Sequence, residues 1–223
     1  MPSIITHAAV PLALWCAADR GRIPPRLLAA GVIAAMLPDA DVLAFALHVP
    51  YADAFGHRGA SHSLLFACVL AALAASLAFF GRRRSWSAQN RPGSRRPWSA
   101  QVCQPRLAAT AQAARSLPTA QAATWASTVQ AGVFVFVCAA SHPLLDAMTS
   151  GGLGVALAWP WSEHRFFAPW RPIRVSPFAP QFFSARGVAT LLSELRWVWL
   201  PLAGAVVAWK LIQPAPAAPR DPS

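Results

Sequence analysis

Residues 64–80 run for seventeen positions without a charged side chain, and only the Ser76 hydroxyl interrupts their apolar character. At about 1.5 Å of rise per residue, a helix of that length crosses most of a hydrocarbon core. Such a run leaves the chain little choice, because a helix satisfies its own backbone hydrogen bonds in lipid whereas an open strand or loop does not. Apolar stretches recur at 4–18, 27–37, 129–148 and 191–212, with 42–49 as a shorter piece beyond a break at Pro38. Composition agrees with this reading. Hydrophobic residues make up 56% of the 223 and charged residues only 12%, against roughly 25% charged in an ordinary soluble domain. The expected fold is all-α: an integral membrane helical bundle of about four to five hydrophobic helices.

The formal net charge of +11 comes almost entirely from arginine. In a soluble chain that balance suggests nucleic acid. Here Arg82, Arg83, Arg84, Arg91, Arg95, Arg96, Arg106 and Arg115 are gathered in 81–128, without one acid among them. The positive-inside rule explains them more simply, and no nucleic-acid partner is expected. Within this segment Arg83-Arg84-Ser85-Trp86-Ser87-Ala88-Gln89 returns as Arg95-Arg96-Pro97-Trp98-Ser99-Ala100-Gln101. Low complexity with repetition reads as a disordered cytoplasmic insertion lying against anionic lipid. The domain expectation follows: 1–80 and 129–212 form one membrane-embedded unit, 81–128 interrupts it, and the Pro/Ala-rich tail 213–223 is disordered. The N-terminus lacks a basic region before its apolar stretch, so it does not read as a cleaved signal peptide. Cys16, Cys68, Cys103 and Cys138 show no paired spacing, which argues against a zinc–cysteine site or a disulfide framework.

Against this apolar background the ionisable residues need a reason. Phe55-Gly56-His57-Arg58-Gly59-Ala60-Ser61-His62-Ser63 sits at the mouth of the 64–80 run, and polar groups at that depth require partners. His7, Asp39, Asp41, His142 and Asp146 are available. With 81–128 placed in the cytoplasm, the runs on either side of it put His57, His62, His142 and Asp146 at the opposite face. Running backward, 27–37 starts beside Arg20, Arg22 and Arg26 and ends at Asp39 and Asp41 on that same face, where the first segment begins with His7. Four other arginines, Arg165, Arg171, Arg174 and Arg186, also fall on this outer side, against the charge bias.

Carboxylate oxygen with imidazole nitrogen suits a divalent ion, zinc first, with manganese or iron as alternatives. His142 and Asp146 are four apart and share one face of a helix. Asp39 and Asp41, two apart after a proline, are expected to reach one ion or to bridge two. Taken singly, each has a blander explanation. Asp39 and Asp41 suit a Pro-Asp turn, Ser61 or Ser63 suits a helix N-cap, and His48 and His164 read as interface or reserve residues. Taken jointly, so many ionisable groups on one face at membrane depth point to a shared site.

Leu37-Pro38-Asp39-Ala40-Asp41, the His57–His62 block, Ser141-His142-Pro143-Leu144-Leu145-Asp146 and Trp159-Pro160, following His7 in that order, resemble the YdjM-type family of bacterial inner-membrane proteins. That family is described as membrane-bound metal-dependent hydrolases. The likeness covers roughly 1–80 and 129–175, and the insertion has no counterpart in it. The resemblance implies His7, Asp39, Asp41, His57, His62, His142 and Asp146 as metal ligands, with Arg58 beside them, and a multi-pass inner-membrane location. The expected mechanism is a metal-activated water, Asp41 as its proton acceptor and Arg58 stabilising a phosphoryl or acyl oxygen. The expected substrate is a phosphoester or other ester of a membrane lipid or lipid-linked molecule. Two other classes stay open: a divalent-metal or proton-coupled transporter using the same His/Asp cluster, and a membrane scaffold whose arginine-rich loop is the working part.

Overall fold

A computed structural model describes residues 1–19, 21–89, 106–177 and 181–213, with the backbone alone at 83–89 and 106–124. A 3-10 turn at Ile4–Ala8 leads into α1 (Ala9–Ala17), which is followed by α2 (Pro25–Met36). A second 3-10 stretch, Leu37–Val42, joins α2 to the short α3 (Leu43–Ala46). The long helices are α4 (Leu64–Gln89) and α5 (Arg106–Ala147). Beyond an irregular segment, α6 (Ala185–Glu194) passes through a π turn at Leu195–Trp199 into α7 (Leu200–Ile212). Among the described residues the only β contacts are two isolated bridges, Thr149 with Ile173 and Val155 with Phe166.

Four helical stretches are long and apolar enough to cross a membrane: Pro25–Ala46, Leu64–Arg82, Trp125–Ala147 and Ala185–Ile212. Ile4–Ala17 is a shorter apolar helix. The expected all-α membrane bundle is what the chain forms. Helix reaches further into the arginine-rich stretch than its composition suggests, to Gln89 from one side and from Arg106 on the other. Alanine, arginine and glutamine propagate a helix readily once an apolar span has nucleated it. Residues 90–105 and 214–223 lie outside the described residues, and with them the centre of the expected insertion and the expected tail.

Local chemistry sets the boundaries. Proline at the first position of α2 costs no hydrogen bond there. At Pro38 the missing N–H ends the α-helix and turns the chain into a 3-10 path. Ser63 caps α4, its Oγ accepting from the Phe66 N–H at 3.1 Å.

The core is built from small residues. Ala34, Ala35, Ala67, Val135, Cys138, Ala139 and Ala140 pack around Phe134 where α2 and α4 meet α5. Gly31 permits that approach, since a Cβ there would stand 2.5 Å from the Phe134 ring. Small residues at helix contacts are the usual way helices associate in lipid. The outer faces are apolar and exposed: Val69, Leu73, Leu77 and Phe80 form a stripe along α4, and Val129, Val133 and Val137 form one along α5. The buried interior is polar at one end of the bundle, and there the candidate ligands gather.

Candidate metal centre

Four elements deliver the side chains. His7 comes from the first 3-10 turn and Asp39 from the turn after α2. His62 comes from the loop before α4, and His142 and Asp146 from the last turns of α5. One ligand atom each from Asp39, His62, His142 and Asp146 lies within 4.8 Å of all the others. His62 Nε2 is 2.9 Å from His142 Nε2 and 3.2 Å from Asp146 Oδ2. His142 Nε2 is 3.5 Å from Asp39 Oδ1. His7 joins from the side, its Nε2 3.7 Å from both Asp39 and Asp146 and its ring stacked on His142. His7, His62, His142 and Asp146 are wholly buried, and Asp39 nearly so.

The remaining hydrogen bonds show what this cluster lacks. The Nδ1 of His142 lies 2.7 Å from the Ala35 carbonyl, which can only accept, so that nitrogen carries the proton. The Nδ1 of His62 faces an Asp41 carboxylate oxygen at 3.1 Å and the Ser61 hydroxyl at 3.0 Å. Ser61 in turn donates to Asp41 at 2.8 Å, which leaves His62 Nδ1 as a donor too. In their neutral forms both rings therefore aim Nε2 lone pairs at each other across 2.9 Å. Beside them, neither oxygen of Asp39 nor of Asp146 has a hydrogen-bond donor, although ion-pair contacts surround them. Two bare carboxylates and two converging lone pairs, all buried, are strongly unfavourable unless a cation sits among them.

The charge balance agrees. Asp39, Asp41 and Asp146 bring three negative charges to the neighbourhood, and Arg58 returns one, its Nε 3.2 Å from Asp146 Oδ2. Two negative charges remain when the histidines are neutral. Burial alone lowers the affinity of the His62 imidazole for a proton, but Asp146 and Asp41 hold its pKa up to about 9. A proton on His62 offsets one of the two charges; a divalent cation offsets both. The donor set of nitrogen and carboxylate oxygen suits such an ion.

The structure places the other expected residues one layer out. Asp41 does not reach the centre beside Asp39. At three residues per turn, positions two apart on a 3-10 path point about 120° away from each other. The two carboxylates instead hold opposite ends of His62, Asp39 near Nε2 at 3.9 Å and Asp41 at Nδ1. His57 follows Asp41, with its Nδ1 2.5 Å from Asp41 Oδ1. Arg58 is buried: Nη1 donates to the Gly151 carbonyl and Nη2 to Thr149 Oγ1, both at 3.0 Å, and Nε makes an ion-pair contact with Asp146. These contacts use one donor on each Nη and turn Nε toward Asp146. The Arg58 backbone has φ +62, an uncommon conformation for a residue with a side chain, held by these contacts and by its N–H on Asp41. His48 and His164 are exposed and stand apart from the cluster.

Sequence reasoning passed over Glu194, a buried acid that accepts from the Ser3 N–H and from the Ser3 and Thr6 hydroxyls. It ties the turn that carries His7 to the start of the last span. An acid inside an apolar stretch was the available signal. In the sequence Arg165 stands out only by its position. It donates to the carbonyls of His57, Tyr51 and Asp53, and so braces the loop that carries the motif.

Comparison with known proteins extends the likeness beyond the motifs. The family model described as YdjM inner membrane protein matches residues 1–217, across the arginine-rich insertion as well as both flanks. The Inner membrane protein YbcI of Escherichia coli (strain K12) is 44% identical over 202 residues, 90% of this chain and 92% of the relative. No solved structure matches. With four helices fit to cross a membrane and a family match along almost its whole length, this chain belongs to the YdjM family of inner membrane proteins.

Proposed function

We propose that the protein is a membrane-bound metal-dependent hydrolase acting on a phosphoester or other ester of a membrane-associated substrate. The observation that carries this reading is the meeting of two imidazole Nε2 atoms and two carboxylates without a hydrogen-bond donor at one buried point. Asp39, His62, His142 and Asp146 would hold a divalent ion, zinc first, with His7 as a fifth group at the edge. When bound, such an ion supplies a nucleophilic water at neutral pH and polarises the ester oxygen.

The residues around it have distinct tasks. Asp41 fixes the tautomer and tilt of His62, as outer carboxylates do for metal-bound histidines. Its oxygens are committed to Ser61, His57, His62 and the Arg58 N–H. The proton-accepting role is assigned to Asp39, which like Asp146 has no hydrogen-bond donor but unlike it does not face Arg58; the carboxylate oxygen not holding the ion would serve. Arg58 balances Asp146 and props the 149–151 segment.

Position favours hydrolysis over transport. Transporter sites lie near the bilayer midplane. Here His62 precedes the span Leu64–Arg82, and Asp146 is the penultimate residue of Trp125–Ala147, so the cluster belongs to one end of the bundle. A lipid or lipid-linked ester would approach at that level. The positive-inside rule puts this end away from the cytoplasm, with the arginine-rich stretch on the cytoplasmic side against anionic lipid.

The test is elemental mass spectrometry of detergent-purified protein beside His62→Ala and Asp146→Ala, followed by turnover of phospholipid and phosphodiester substrates. About one ion per chain, lost in both variants together with turnover, is the expected result. A folded wild type that takes up no metal even from excess ion would end this reading.

A further inference from the structure

Arg165, Arg171, Arg174 and Arg186 lie at the metal-centre end of the bundle, where the charge bias of membrane proteins disfavours arginine. Two of them have local work. Arg165 braces the motif loop through four carbonyls, those of Tyr51, Asp53, His57 and Arg58. The Arg171 guanidinium lies 4.8 Å from the centre of the Phe167 ring. Arg174 and Arg186 differ. Both side chains are exposed, and neither guanidinium meets a carboxylate among the described residues.

These two arginines line the same cavity, of about 440 Å³, together with Ser150, Gly151, Gly152 and Thr190. The volume falls within the range typical of small-molecule sites. No acid lines it, so two uncompensated positive charges face one space. Its Gly151–Gly152 wall is the segment on which Arg58 rests. The Gly151 carbonyl accepts from Arg58 Nη1, and a Cβ at Gly152 would come within 2.7 Å of that same nitrogen. Arg58 in turn contacts Asp146, so the cavity abuts the metal cluster with one backbone segment between them. Arg186 is the second residue of the span Ala185–Ile212, which sets the cavity at the end of a span, at the level of lipid headgroups. Exposed Phe183 and Trp170 belong to the same end, where aromatic rings favour the interface.

We propose that this cavity is an anion site that binds a phosphate group through Arg174 and Arg186. The phosphate belongs either to an anionic lipid headgroup or to a free phosphate. Planar guanidinium groups match phosphate oxygens in a fork geometry, which suits this chemistry better than point-charge ammonium groups would. The proposal goes beyond the hydrolase reading and stands without it, because binding requires no turnover.

The experiment uses the full chain in a neutral detergent and measures binding by calorimetry. The probes are dihexanoyl-phosphatidylglycerol, dihexanoyl-phosphatidylcholine and inorganic phosphate, tested on wild type, Arg174→Gln, Arg186→Gln and the double variant. Arg171→Gln is the control, since it removes an arginine from the same end but not from the cavity. The expected result is saturable binding of phosphatidylglycerol at one per chain, weakened tenfold or more by each cavity substitution and unchanged in the control. Binding of inorganic phosphate with the same variant pattern identifies the phosphate group alone as the ligand. Binding of the anionic lipid without inorganic phosphate identifies the headgroup. If no probe binds wild type, or the double variant binds as wild type does, the proposal fails. Metal content measured on the same samples separates the two ideas: phosphate binding without metal would sink the hydrolase alone, and metal without phosphate binding would sink the anion site alone.

Discussion

Replacing Asp39 by asparagine removes one negative charge from the buried cluster while keeping the shape of the side chain. The consequence should change sign with metal. In the metal-free protein Asp39 is repelled by Asp146; two unit charges at the 4.8 Å limit of the cluster interact by about 3.5 kcal/mol at an effective dielectric of about 20. A protonated His62 attracts Asp39 from 3.9 Å, which by the same estimate is worth about 4 kcal/mol. These terms nearly cancel. What remains is the desolvation of a carboxylate with no hydrogen-bond donor, several kcal/mol in a buried setting. Asparagine avoids most of that cost, although its own buried amide gives back about 1–3 kcal/mol. The metal-free variant should therefore melt no lower than wild type. With zinc at a hundred times its dissociation constant, wild type gains about 2.7 kcal/mol. For a chain of this size that is roughly 5–11 °C in Tm. The variant, lacking one of four facing ligands, should gain little, so the order of stability reverses. Thermal unfolding in detergent, followed by the fluorescence of the ten tryptophans before and after a chelator, reads both states. If Asp39→Asn melts well below wild type without metal, and zinc does not widen the gap, the cluster is a structural polar network and the argument for a cation fails.

The layered arrangement makes Asp41→Asn milder than a ligand variant: zinc affinity should fall about 10–100-fold, with full occupancy recovered at excess zinc, whereas His142→Ala should not reach stoichiometric zinc in the same chelator-competition titration. The raised pKa of His62 fixes a direction with pH. Its contribution to metal-free stability is complete below the unfolded value of 6.5 and is lost as pH rises through about 9. Chelator-treated protein should thus lose melting temperature over that window, while zinc-loaded protein, with the proton already displaced, should not. Gly59→Ala should damage the centre without touching a ligand, because a Cβ there would lie 2.2 Å from the Ala54 carbonyl oxygen, in the tight turn between Arg58 and His62. Reduced zinc occupancy and a lower melting temperature in that variant are expected; a fully loaded Gly59→Ala protein would show that the loop tolerates the shift.

How much of this was legible beforehand differs from element to element. The run at 64–80 announces a span, because a charge-free apolar stretch in this composition has no other stable place, and the span Leu64–Arg82 follows it closely. His142 and Asp146 share a face because helical spacing requires it. Ser63 caps α4 as its hydroxyl beside an apolar run suggests. Even the gathering of His7, Asp39, His62, His142 and Asp146 at one end follows from charge bias and alternating direction, which are properties of the linear chain. The division of labour within the cluster does not. Whether Asp39 or Asp41 faces inward depends on the 3-10 path that Pro38 imposes, and on His62 lying between the two carboxylates. That Arg58 rests on the 149–151 segment, through Gly151 and Thr149, is not written in its neighbours either. Glu194 stands inside an apolar stretch, yet it holds Ser3 and Thr6 from almost the other end of the chain. The sequence by itself determined the membrane bundle, the end at which the ionisable groups meet and the kind of ion their atoms suit, because hydrophobicity and helical period act locally along the chain. Only the tertiary structure decided which groups face the centre, which stand behind them, and that two arginines share a cavity beside it. Those outcomes depend on contacts between residues far apart in sequence, and no local pattern encodes them.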